Sequence, residues 1–290
     1  MTPATSFVTS GSGPTTVRLG ISTCPNDTFA FAGLLEGRVD TGGLRFEIEL
    51  LDIQQLNDRL FAGDFAAAKT SFHAALLLGE QTVVLPSGSA LGFGVGPLLL
   101  ASRPETRPES MDQRTLLPGR HTTAALLYQL FYGGCTRSDH VVFSEIMPQL
   151  KTGQADFGVC IHEGRFTWQQ EGLSLVEDLG TRWEQTTGSP LPLGGLVARR
   201  SLPSATIHSI QDVVRRSLEM ALEDPDSALP QMRRYAQEFD DRVLMQHVEL
   251  YVNDWTVDLG EEGRRALAAL SQQAKRCGVI PADGQDLVVF

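Results

Sequence analysis

The chain has 290 residues, with 24 Lys and Arg against 35 Asp and Glu, a formal charge of −11, and 42 % hydrophobic residues. This is a globular composition, long enough for two lobes and far from the signature of disorder. The acidic balance excludes general binding to a phosphate backbone, and no apolar run reaches the about 20 residues of a membrane span. The four cysteines, Cys24, Cys135, Cys160 and Cys277, have no CxxC spacing and no histidine partners. They suggest neither a disulfide framework nor a zinc site, and they suit a cytoplasmic protein.

The segment before Arg18 has no Lys or Arg and no continuous apolar stretch. It lacks the features of an export signal, and residues 1–15, rich in Ser, Thr, Gly and Pro, are expected to be a disordered tail. Residues 16–21 alternate Val17, Leu19 and Ile21 as a strand. A helix is expected next, capped by Asn26 or Asp27, carrying Phe29, Leu34 and Leu35, and stopped at Gly37. A strand with Phe46, Ile48 and Leu50 on one face follows, then a helix capped by Asp52. A short small-residue strand then leads to a turn at Lys69-Thr70-Ser71 and another helix. This βαβα rhythm marks a mostly parallel sheet.

Residues 82–102 read as two apolar strands joined by a glycine-rich loop. The polar, Pro-punctuated stretch 103–114 reads as a boundary between lobes. A second βα series begins at Thr115, with a helix whose apolar face holds Leu126, Leu127, Leu130 and Phe131. A strand-helix pair follows from His140, then a strand ending at His162, then a return strand at 191–200. Beyond Ser204 the pattern is helical. The expected division is one lobe from 16–103 with 193–290 and a second from 104–192, with a ligand cleft between them.

Ligands of open α/β sheets sit at the carboxyl ends of the strands. Four such ends carry polar groups: Asn26 and Asp27; Lys69 and Ser71; residues 119–123; and His162 with Glu163. At "PGRHTTAALL" Gly119 permits a turn, and Thr122 or Thr123 can cap the helix. The helix start is either an ordinary cap or a site for a carboxylate or phosphate. "GSALGFGVG" leads into a strand and not a helix, so it is no dinucleotide loop. His162 is either a histidine satisfied by a carbonyl or a base suited to proton transfer near neutral pH. No motif calls for a metal or an organic cofactor.

Over residues 18–275 the sequence resembles the 1,4-dihydroxy-6-naphthoate synthase family of the futalosine route to menaquinone. The likeness rests on "CPNDTFAF", "GRHTTA", "IHEGRFT", "DLGTRWEQTTGSPLPLGG" and "YVNDWTVDLGEEG". The resemblance implies an α/β, two-lobed, type II periplasmic-binding-protein-like fold serving as a cytoplasmic enzyme. The implied reaction turns cyclic dehypoxanthinylfutalosine into 1,4-dihydroxy-6-naphthoate with loss of a three-carbon fragment, without metal or cofactor. It makes His162 the general base, and it makes Lys69, Ser71, Thr122, Thr123, Asn26 and Asp27 the substrate-binding set. Relatives often carry serine where Gly164 stands here. Two other functions fit the same fold: chorismate dehydratase, and a non-catalytic binding protein for a small carboxylate. The expected partner is a small-molecule carboxylate, with no nucleic acid and no membrane span; the sequence leaves the oligomeric state open.

Overall fold

The computed structural model describes residues 6–161, 164–235 and 240–290. The chain runs through β1 (Ser6–Ser10), β2 (Thr15–Ser22), α1 (Pro25–Ala30), α2 (Ala32–Leu35), β3 (Leu44–Leu51), α3 (Ile53–Phe61) and β4 (Ala67–Ser71). Then come α4 (Phe72–Leu77), β5 (Thr82–Val84), β6 (Ala90–Gly92), β7 (Leu98–Ala101), β8 (Arg114–Pro118), α5 (Thr123–Tyr132) and β9 (Arg137–Val141). They are followed by α6 (Phe143–Lys151), β10 (Phe157–Cys160), α7 (Gly164–Thr167), β11 (Ser174–Asp178), α8 (Leu179–Thr187) and β12 (Leu191–Arg199). The rest is mainly helical: α9 (Ser204–Glu223), a 3-10 turn (Pro225–Ala228), α10 (Leu229–Tyr235), α11 (Asp241–Tyr251), α12 (Asp254–Val257) and α13 (Gly260–Arg276).

The strands form two sheets, ordered β1-β3-β2-β4-β12-β5 with β6 beside β12, and β11-β7-β10-β8-β9. Around them the chain forms two compact units. The first holds Met1–Leu91, Gly194–Arg264 and Gln285–Phe290, and the second Gly92–Leu193 and Arg265–Gly284. The chain therefore enters the second unit before β7, not in the polar stretch after it, because "LLLA" pairs with β10 and β11. No helix among the described residues is long and apolar enough to cross a membrane.

In the first unit β2 lies parallel to both β3 and β4. Alternation buries Leu44, Phe46, Ile48 and Leu50 of β3. They share a core with Leu19 and Ile21 of β2 and with Ile207, Ile210, Val214 and Leu218 of α9. Each such side chain contributes about 1.5–3 kcal/mol on burial. Asp52 caps α3 as expected, with Gln55 completing a capping box. In the second unit Leu98, Leu100 and Leu116 of the sheet pack with Ile146 and Leu150 of α6.

Four local expectations change. Of the tail expected to be disordered, residues 1–5 lie outside the described residues; the rest supplies β1, paired antiparallel with β3 from Ser6↔Leu50 to Ser10↔Phe46, and β2 starts at Thr15. Its glycines are docking positions: a Cβ on Gly13 would lie 1.6 Å from Gly43 O. The helix expected from Asn26 is capped instead by Cys24, since Pro25 takes the first helical position, and it breaks at Phe31 into α1 and α2. Lys69, Thr70 and Ser71 complete β4 and do not turn. Finally, β11 and α8 fill a stretch for which no element is expected. At the other edge of the first sheet, Val289 bridges Val84, Val84 N–H donates to Val288 O, and Phe290 N–H donates to Val84 O.

Candidate functional site

In the first unit, β2 and β4 run parallel, so their carboxyl ends, Ser22 and Ser71, lie on the same side of the sheet. The α1 turn leaves β2 there and sets Asp27 in its first turn, where a carboxylate is favoured by the helix dipole. Asp27 and Lys69 form an ion pair, Nζ to Oδ1 2.7 Å, with side chains only 3 % and 6 % exposed. Burying two charges is costly unless their remaining valences are met. Three further hydrogen bonds offset that cost: Asn26 Nδ2 donates to Asp27 Oδ1 at 3.0 Å, Ser22 Oγ to Oδ2 at 2.5 Å, and Lys69 Nζ to Gly88 O at 2.6 Å.

Lys69 and Ser71 share one face of β4 by the two-residue period, and Thr70 takes the other. Asn57, fully buried on α3, ties the strand end down. Its Oδ1 accepts from Thr70 Oγ1 at 2.8 Å and from Ser71 N at 3.1 Å, and its Nδ2 donates to Ser71 Oγ at 3.2 Å. Because Ser71 Oγ accepts from Asn57, its own proton is directed elsewhere, as a donor to a ligand requires. The pair, Asn26, Asn57 and Ser71 are thus held at a strand end by groups already hydrogen-bonded.

In the second unit, Gly119 turns the chain after β8 with φ +89°. Thr122 is the N-cap of α5, its Oγ1 accepting from Ala125 N at 3.2 Å. Thr123 Oγ1 donates to Leu193 O at 2.5 Å. Both threonines are 3 % exposed, and both hydroxyls shape the helix start. The N–H groups of Thr123 and Ala124 belong to the first turn, where the helix itself supplies no acceptor.

β10 ends at Cys160, whose burial pushes its thiol up to about 12, which makes it inert as a nucleophile. His162 and Glu163 lie outside the described residues. Beyond them, Arg165 of α7 donates to Gly96 O, to Gly94 O at 2.7 Å and to Asp178 Oδ2 at 2.9 Å. Asp178 in turn caps α8 through Gly180 N and Thr181 N. A Cβ on Gly164 would meet Cys160 Cβ and Met147 Cε at 3.5 Å, which is ordinary contact.

Of the residues expected from sequence, Asn26, Asp27 and Lys69 join one network, and Ser71 stands at the same strand end. Thr122 and Thr123 stand together at the start of α5. Sequence reasoning missed Ser22, Asn57 and His247. His247 is 5 % exposed and places Nε2 3.2 Å from Asn26 Oδ1. The polar Asn57 between apolar Leu56 and Leu60 was a readable signal; His247 had none, being 221 positions from its partner.

A family model described as menaquinone biosynthesis matches residues 17–276. The chain is 42 % identical over 273 residues to a 1,4-dihydroxy-6-naphthoate synthase of Thermus thermophilus, covering 94 % of this chain and 99 % of that protein. A 1,4-dihydroxy-6-naphthoate synthase of Streptomyces coelicolor is 39 % identical over 283 residues, covering 95 % and 98 %. Among solved structures, a protein of Archaeoglobus fulgidus superposes with a TM-score of 0.86 at 30 % identity, covering 91 % of this chain and 98 % of that one. The periplasmic aliphatic sulphonate binding protein of Escherichia coli superposes with a TM-score of 0.62 at 12 % identity, covering 96 % and 94 %. At that identity the likeness speaks for the fold alone, an α/β two-sheet architecture of the periplasmic-binding-protein type.

Proposed function

The chain belongs to the menaquinone-biosynthesis family of 1,4-dihydroxy-6-naphthoate synthases, which are lyases, and from that premise we propose that it converts cyclic dehypoxanthinylfutalosine to the naphthoate with His162 as general base. In this reading His162 removes a proton and starts the cleavage that releases a three-carbon fragment and ends in aromatisation. Aromaticity makes the later steps downhill, so the residues have two tasks, positioning and one proton transfer.

Lys69, Ser71, Asn26 and Asp27, with Thr122 and Thr123, hold the substrate. The observation that carries the reading is the buried Asp27–Lys69 pair at the carboxyl ends of two adjacent parallel strands. Because Lys69 is already matched by Asp27, the pair brings no net charge to an anionic substrate. The neutral donors for a carboxylate in this acidic chain are, in the first unit, the Ser71 hydroxyl and, in the second, the start of α5, where the helix dipole favours an anion. The four separated cysteines, all free thiols, support a cytoplasmic place of work.

The test is product formation by purified protein, followed as release of the naphthoate, beside His162→Asn. The variant is expected to bind product as the native protein does and to lose about 10²–10⁴ in kcat, the usual range for a positioned acid–base group. Near-native turnover by that variant overturns the assignment of the base. Binding without turnover by the native chain points to a carboxylate receptor, and turnover of chorismate to the dehydratase.

A further inference from the structure

The Asn26 amide faces two partners. Its Nδ2 donates to Asp27 Oδ1 at 3.0 Å, and its Oδ1 lies 3.2 Å from His247 Nε2. The Asp27 carboxylate offers only acceptors, so the amide must turn its NH2 group to that side. Its carbonyl oxygen then faces the imidazole, which must carry a proton on Nε2 and donate it. Protonating the ring adds a hydrogen at Nδ1 and leaves this bond in place. His247 is itself held: it is 5 % exposed, and its ring packs against Tyr251 one turn further along α11, with centroids 4.6 Å apart at 45°.

We propose that His247 is a positioning residue for the substrate-binding turn, fixing the Asn26 amide so that Asn26 and Lys69 together hold Asp27. A directed chain results: His247 to Asn26, Asn26 to Asp27, and Lys69 to Asp27 and Gly88. Without the His247 donor the amide is free to flip, which would set its carbonyl against the carboxylate and loosen the grip on Asp27 and Lys69. The effect falls on binding geometry and not on proton transfer. This inference rests on the reading that Asn26, Asp27 and Lys69 hold the substrate.

The experiment compares His247→Phe, His247→Gln, Asn26→Ala and the double variant His247→Phe with Asn26→Ala, each first checked for a native melting transition. KM, kcat and product Kd are measured for all. His247→Phe is expected to raise KM and Kd about 10-fold, the size of one lost hydrogen bond to a buried partner, with kcat within about 3-fold of native. His247→Gln, which can present an N–H donor, restores most of the loss. In the double variant His247→Phe adds nothing to Asn26→Ala, because it acts through that residue. Multiplying losses, a Gln variant no better than Phe, or a loss carried by kcat overturns the proposal. A raised KM in Asn26→Ala beside a native His247→Phe sinks the proposal alone. An unchanged KM in Asn26→Ala sinks the substrate reading, and the proposal with it.

Discussion

Lys69 and Asp27 show how a single contact can be tolerated in a core only when its surroundings are complete. Their attraction alone would not offset removal of two charges from water. Three further hydrogen bonds, from Ser22, from Asn26 and to Gly88, add to it. Removing one partner leaves an uncompensated buried charge. Lys69→Met is therefore expected to destabilise the protein by about 3–5 kcal/mol. Lys69→Met combined with Asp27→Leu should cost distinctly less than the two single losses added. Urea melts of the three variants check this; additive losses would mean that the pair is not coupled. The same logic explains why Lys69, Thr70 and Ser71 escape a sequence reading as strand. Polar residues in series look like a turn, yet each here is buried against a specific partner, and tertiary contacts override local propensity.

At the scale of elements, Arg165 and Asp178 join α7, α8 and the loop before β7. The Asp178 carboxylate spends one oxygen on capping α8 and the other on Arg165. Asp178→Ala should cost about 1–2 kcal/mol for the cap alone, and more because Arg165 loses its counter-charge. Asp178→Asn keeps an accepting oxygen for the cap and should recover part of the loss; equal losses in a thermal melt would argue against the clamp. Elements with strong apolar periodicity were legible from sequence: β2, β3, α3 with its Asp52 cap, and α5 with Thr122 at its start. β11 and α8 were not, for a definable reason. β11 is five residues long with a register shift between Leu175 and Glu177, so its alternation is broken. α8 buries little more than Leu179, Gly180 and Trp183, too few for a helical stripe to stand out. The site was half legible. Strand ends and a helix start pointed to Lys69, Ser71, Thr122 and Thr123, whereas partners such as Asn57 and His247 are brought in by packing between elements remote in sequence.

Across the whole molecule, each unit is a sheet faced by helices, and the first sheet is finished at both edges by short segments from opposite ends of the chain. β1 covers Phe46–Leu50 of β3, and residues 288–290 lie along β5. Removal of residues 1–11 is expected to cut stability modestly, since β1 buries few apolar side chains. Its larger effect is on what the sheet presents to other molecules. β3 is eight residues long and alternates in burial, and once bare it would offer a regular row of unpaired N–H and C=O groups. Light scattering should then show association that grows with protein concentration in the truncated chain and stays flat in the full one. The five-residue β1 thus does little for the energy of the fold and much for colloidal behaviour: it replaces a long template for intermolecular strand pairing with one too short to recruit a neighbour.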